Sequence, residues 1–146
     1  MVKKYLSIEI IGLLKFFLKK IKFLKRNFTI SDFPLLDKKS LSYFCSEVNK
    51  CSSYLEYGSG GSTIYVAKKN KEILSIENDY DFHIFLKNKI NAEMLNADLR
   101  YANTGIVGAY GIPIFKNINK KNIKRWKSYV EMPWKILKKK TRLNFY

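Results

Sequence analysis

Tyr54-Leu55-Glu56-Tyr57-Gly58-Ser59-Gly60-Gly61-Ser62-Thr63 is the stretch whose reading decides the fold of this 146-residue chain. Ser52 to Tyr57 reads as a strand, the glycine cluster as a tight turn, and Ser62 to Lys69 as a helix starting directly after it. Glu72 to Glu77 gives a second short strand, because Ile73, Leu74 and Ile76 are apolar and charged turns bound the segment. Residues 80 to 93 are helical, and Leu99 to Ala102 form a third strand. Strand, glycine turn, helix, strand, helix, strand is the order of an open parallel α/β sheet with right-handed crossovers.

Upstream, Leu41, Phe44, Cys45 and Val48 recur at helical spacing and place a helix over residues 38 to 49. Before it lies a short linker, Asn27 to Leu36, with Pro34 and the turn-prone Ser31 and Asp32. The first segment puts Leu6, Ile10, Leu13, Leu14, Phe17, Ile21 and Leu24 on one helical stripe, with Lys4, Lys15, Lys19, Lys22 and Arg26 opposite. Its longest uncharged run, Ile10 to Leu14, is far short of the ~20 apolar residues of a membrane span. Such a helix either packs its stripe on the domain or on a partner protein, the preferred reading, or lies through residues 1–26 in an anionic membrane surface. Downstream, Gly105, Gly108, Gly111 and Pro113 mark an irregular loop. Lys121 to Tyr129 begins another helix, which Pro133 is expected to interrupt before the basic tail Lys135 to Arg142. The organisation expected is a basic amphipathic helix over residues 1–30 and an α/β domain over residues 31–146.

Apolar residues make up 47% and aromatics 15%, enough to build a core and unlike a disordered composition. The formal charge is +16, but only four of the 28 cationic residues are arginine (Arg26, Arg100, Arg125 and Arg142). Specific phosphate and base readout leans on arginine forks, and lysine richness also follows from AT-rich codon usage, so nucleic acid is not the expected partner. Cys45 and Cys51 match neither a zinc spacing nor a disulfide framework and read as reduced, buried residues of a cytoplasmic protein. The one histidine, His83, reads as a surface or half-buried helix residue, not a catalytic base. No metal site is expected.

Glycines at a strand-to-helix turn let a ligand approach the backbone, and free amides at the helix start favour an anionic group there. Glu77 ends the next strand seventeen residues after Gly60, where an acid can accept hydrogen bonds from ribose hydroxyls. Two features thus point at one nucleoside-containing ligand. A dinucleotide is disfavoured, because Thr63 stands where that fingerprint has its third glycine and Glu56 where its strand is apolar.

Glu56 to Thr63, followed by Ile73-Leu74-Ser75-Ile76-Glu77-Asn78-Asp79, resembles the first two cofactor motifs of class I S-adenosylmethionine-dependent methyltransferases. The resemblance implies a partial doubly wound, Rossmann-like fold of about three parallel strands, with S-adenosylmethionine or S-adenosylhomocysteine as ligand. It implies that Glu56 and the turn Gly58, Ser59, Gly60, Gly61 surround the methionine portion, with Ser62 beside them. Glu77 would hold the ribose, next to Asn78. Asp98 and Tyr101 to Gly105 stand where such a fold contacts adenine, and Lys127 to Trp134 is similar to the segment before its fourth strand. The resemblance covers about residues 38 to 134, the first half of such a domain, so the second half of the catalytic unit is expected to be missing here. The methyl acceptor is not legible. The competing expectation is a non-catalytic basic module that binds anionic membrane or nucleic acid.

Overall fold

The computed structural model describes residues 8–24 and 29–143. Helices α1 (Ile8–Leu24) and α2 (Lys38–Lys50) precede strand β1 (Ser53–Tyr57), helix α3 (Gly61–Lys68), strand β2 (Glu72–Glu77), helix α4 (Tyr80–Ala92), strand β3 (Asp98–Tyr101) and helix α5 (Lys120–Leu143). The strands form one parallel sheet in the order β1-β2-β3, with Glu56 opposite Ser75 and Glu77 opposite Tyr101. This is the α/β architecture expected; the third strand begins one residue earlier than its apolar pattern suggested.

Alternation along β2 sorts the layers. Ile73 packs with Val66 of α3 and Val48 of α2, while Leu74 and Ile76 point the other way, onto Tyr129, Met132, Ile136 and Leu137 of α5. Ile64 of α3 meets Leu86 and Ile90 of α4. Hence α2, α3 and α4 cover one face and α5 the other, and β2 is buried on both sides, as a parallel strand must be. Ser75 and Glu77 share the face of Ile73, so two polar side chains lie under α3 at the strand's carboxyl end.

Pro133 does not end the last helix, contrary to expectation. It has no N–H for the carbonyl one turn earlier, yet α5 runs through it to Leu143. Apolar contacts on either side of the proline hold the helix on the sheet, Pro133 itself is fully buried, and the Tyr57 hydroxyl donates to the Val130 carbonyl at 2.6 Å. Tertiary packing overrides the local break.

The N-terminal stripe is also corrected. Leu6, Lys4 and Arg26 lie outside the described residues. Ile10, Leu14, Phe17 and Ile21 are exposed and do not pack on the domain, one of the two packing surfaces expected. Gly12 instead faces the protein, so close to Ile114 that an added Cβ would sit 3.0 Å from its Cγ2. Leu13 and Phe16 are half-buried, and Lys20 reaches Asp81 of α4 at 3.6 Å. Apolar residues occupy more than one side of α1, and the glycine, not the broadest stripe, selects the docking side because it permits the closest approach.

Cys45 and Cys51 are free and half-buried, not buried. His83 is buried, where a surface or half-buried position was expected; its ring lies 5.8 Å from that of Tyr101, and its Nδ1 has no hydrogen-bond partner among the described residues. Burial, aided by the charge of Lys87, lowers its pKa from the ordinary 6.5. The unfolded chain therefore takes up the proton first, and stability is full above that ordinary value and falls as pH drops through it. A urea-denaturation series against pH should show this slope, and His83→Gln should flatten it; an unchanged slope would assign the titration to other groups.

Candidate functional site

At the carboxyl ends of the three strands a cleft of about 1410 Å³ opens, lined by the glycine turn, the end of β2, the linker before α2, the loop after β3 and the first half of α5. This is where open α/β sheets hold ligands. Of the eight residues singled out in the sequence, Gly58, Ser59, Gly60, Gly61, Ser62, Glu77 and Asn78 line it; Glu56 does not.

Glu56 sits beneath the turn, 8% exposed, as a hub for four hydroxyls. Ser62 Oγ donates to it at 2.6 Å, Ser75 Oγ at 2.7 Å and Tyr54 Oη at 3.3 Å, and Thr63 Oγ1 donates as well. Thr63 Oγ1 also accepts from the Gly60 N–H at 2.9 Å, so one buried hydroxyl couples the carboxylate to the turn. Burial and the adjacent carboxylate push the Tyr54 phenol well above its usual range, so it stays a donor.

Glu77, 5% exposed, grips the turn from the other side. Its Oε2 accepts from Ser59 N at 2.9 Å and its Oε1 from Asn78 N and Asp79 N at 2.8 and 2.7 Å. Ser59, whose N–H donates to Glu77 and whose Oγ lies 2.7 Å from Ser75 Oγ, links the two carboxylates through Ser75. The Asn78 amide donates to Thr104 Oγ1 and to the Gly111 carbonyl, pinning the loop after β3 over the sheet. Gly58 takes φ +82°, which only glycine adopts without strain.

The amides of Ser59 and Gly60 are committed to Glu77 and Thr63. Those of Gly61 and Ser62, at the start of α3 and on the cleft wall, make no hydrogen bond among the described residues. The N–H groups left for an anion are those at the start of α3.

Sequence reading missed the opposite wall. Trp126 and Tyr129 of α5, three residues apart and so on one helical face, line the cleft, and the Trp126 indole N–H is buried without a partner among the described residues. Tyr129 stacks at 5.3 Å on Tyr57; its hydroxyl is pushed up to about 12, chiefly by burial and next by the charge of Glu77, so it is a hydrogen-bond donor and not a base. Asp98 lies away from this cleft, paired with Arg100, whereas Thr104 lines it. Phe33 and Leu35 of the linker close the side above α3.

The same architecture recurs in a crystal structure of a methyltransferase-like protein from Silicibacter pomeroyi, with a TM-score of 0.60 and 20% identity over 69% of this chain. The fold is methyltransferase-like. The chain spans about half, 53%, of that protein's length. No family model and no curated protein matches the chain. No group of three or more His, Cys, Asp or Glu that could hold a metal occurs among the described residues, and none of their helices is long and apolar enough to cross a membrane.

Proposed function

We propose that the cleft binds S-adenosylmethionine and that the chain is the cofactor-binding part of a methyltransferase. The observation that carries this reading is the cleft itself, which brings together at the strand ends a glycine turn with two uncommitted helix-start amides, a buried acid and an unpaired indole N–H. The amides of Gly61 and Ser62 suit the carboxylate of the amino-acid portion. Glu77 stands beside the turn as an acceptor for ribose hydroxyls, and Trp126, Tyr129 and Tyr57 offer apolar surface with N–H and O–H donors for the base. Glu56 is assigned to support the turn, since its carboxylate is covered by hydroxyls. When bound, the sulfonium supplies an activated methyl group; the protein's part is to position it and exclude water. The acceptor is left open, because no described residue in the cleft is tied to one.

Calorimetric titration with S-adenosylhomocysteine tests this, with Gly60→Ala as the comparison. Backbone at Gly60 is extended and a Cβ there meets nothing within 4 Å, so the methyl enters cleft space without strain. Crowding a bound ligand by one methyl costs about 1–3 kcal/mol, so binding should weaken at least about fivefold while stability is kept. Glu77→Ala is a poorer test, because it also unpairs three backbone amides. A folded wild-type chain that takes up no S-adenosylhomocysteine refutes the reading.

A further inference from the structure

One side of α1 carries exposed apolar residues. Ile10, Leu14, Phe17, Leu18 and Ile21 recur at spacings of three, four and one, which puts them on one side of the helix, and each is between 44% and 65% exposed. The opposite side is occupied: Gly12 abuts Ile114, Lys20 reaches Asp81, and the Lys20 ammonium covers the Phe16 ring at 5.2 Å. The helix is therefore docked, and what it presents outward is a ridge of large aliphatic and phenyl groups about 17 Å long.

We propose that this ridge inserts into the surface of an anionic lipid bilayer, with α1 lying in the membrane plane. Three observations select lipid over other occupants. The ridge holds Ile, Leu and Phe but none of the Tyr, Trp or Arg residues that anchor protein interfaces or stack on nucleobases. Lys15 flanks it and is exposed, where an ammonium group reaches headgroup level while its stem stays on apolar surface. The whole chain carries a net +16, which draws it to an anionic surface and gives it no complement in a second copy of itself. Ile114, the residue against Gly12, belongs to the segment that also lines the cleft, and Tyr110 and Ile118 in that segment are 98% and 85% exposed. The inference stands independently of which ligand the cleft holds.

Flotation of the full chain with phosphatidylcholine vesicles containing phosphatidylglycerol, at moderate salt, decides the matter. The chain should float with these vesicles and not with pure phosphatidylcholine. Leu14→Gln, Phe17→Gln, Leu18→Gln in combination should weaken the partition at least about tenfold, since three apolar side chains no longer leave water. All three are exposed, so an unchanged unfolding midpoint certifies the fold. As a reading that needs no loss of binding, Phe17→Trp should add tryptophan emission that brominated lipid quenches. No flotation of the wild-type chain, equal flotation of the triple variant, an unquenched Trp at position 17, or a solution dimer abolished by the triple variant would each overturn the proposal; equal flotation would mean that the lysines alone bind, and the dimer that a second copy covers the ridge.

Discussion

Glu56→Ala is expected to be among the most damaging substitutions in the chain, lowering stability by roughly 3 kcal/mol out of the 5–15 kcal/mol typical of a domain. The carboxylate is buried and receives hydroxyl donors from β1, α3 and β2, so it joins three elements at one point. Hydrogen bonds to a charged acceptor are worth more than neutral ones, and their loss leaves the buried hydroxyls of Thr63 and Ser75 with one partner fewer each. Glu56→Gln keeps the shape and one acceptor oxygen and should cost less than half as much, because hydroxyls can rotate to meet the amide. Urea denaturation of both variants measures the difference. Because Glu56 does not reach the cleft, Glu56→Gln should leave S-adenosylhomocysteine affinity unchanged; a large loss of affinity in a stable Glu56→Gln protein would restore the direct contact with the ligand that the sequence suggested.

That contrast shows where sequence reading stops. The elements around the glycine turn were legible because their signals are local: alternation in Glu72–Glu77, an apolar period in residues 80–93, glycines between a strand and a helix. The positions of Gly58 to Ser62, Glu77 and Asn78 on the cleft follow from the same signals, since a strand end and the next helix start must share one edge of the sheet. Which polar groups remain available to a ligand is not local. Thr63 claims the Gly60 amide and Glu77 the Ser59 amide through side-chain contacts that no spacing rule encodes.

Pro133 and α1 fail for a related reason. A proline breaks a helix when nothing else holds it, but α5 is held by the sheet face beneath it and by Tyr57. Helix α1 is apolar over so much of its circumference that periodicity offers two docking sides, and a single glycine opposite Ile114 decides between them. Trp126 and Tyr129 were visible as a helical pair, but only the return of α5 across the sheet brings them to the glycine turn.

Gly61→Ala should cost about 3 kcal/mol, lowering the unfolding midpoint by about 10 °C, although it is conservative and adjoins a glycine that tolerates the same change. A Cβ on Gly61 would stand 2.0 Å from the Phe33 carbonyl oxygen and 2.8 Å from that of Ser31, so backbone, not a flexible side chain, has to move. The linker is not free to yield. The Phe33 ring packs at 5.4 Å on Tyr65, and Asp32 is bound by Lys68 at 2.5 Å and Lys89 at 3.2 Å, both of which also pair with Glu93. Hydrogen bonds from Lys68 and then Lys89 hold the Asp32 carboxyl below its ordinary range, so the clasp stays charged near neutrality. Exposed pairs of this kind contribute little each, roughly 0–1 kcal/mol, but together with the ring contact they fix where the linker runs. Relief requires lifting the linker, which takes Phe33 and Leu35 off the cleft wall. Differential scanning calorimetry of Gly60→Ala and Gly61→Ala side by side should therefore separate two adjacent glycines, the first thermally silent and the second strongly destabilised. Matching midpoints would place the linker elsewhere and remove that wall from the cleft.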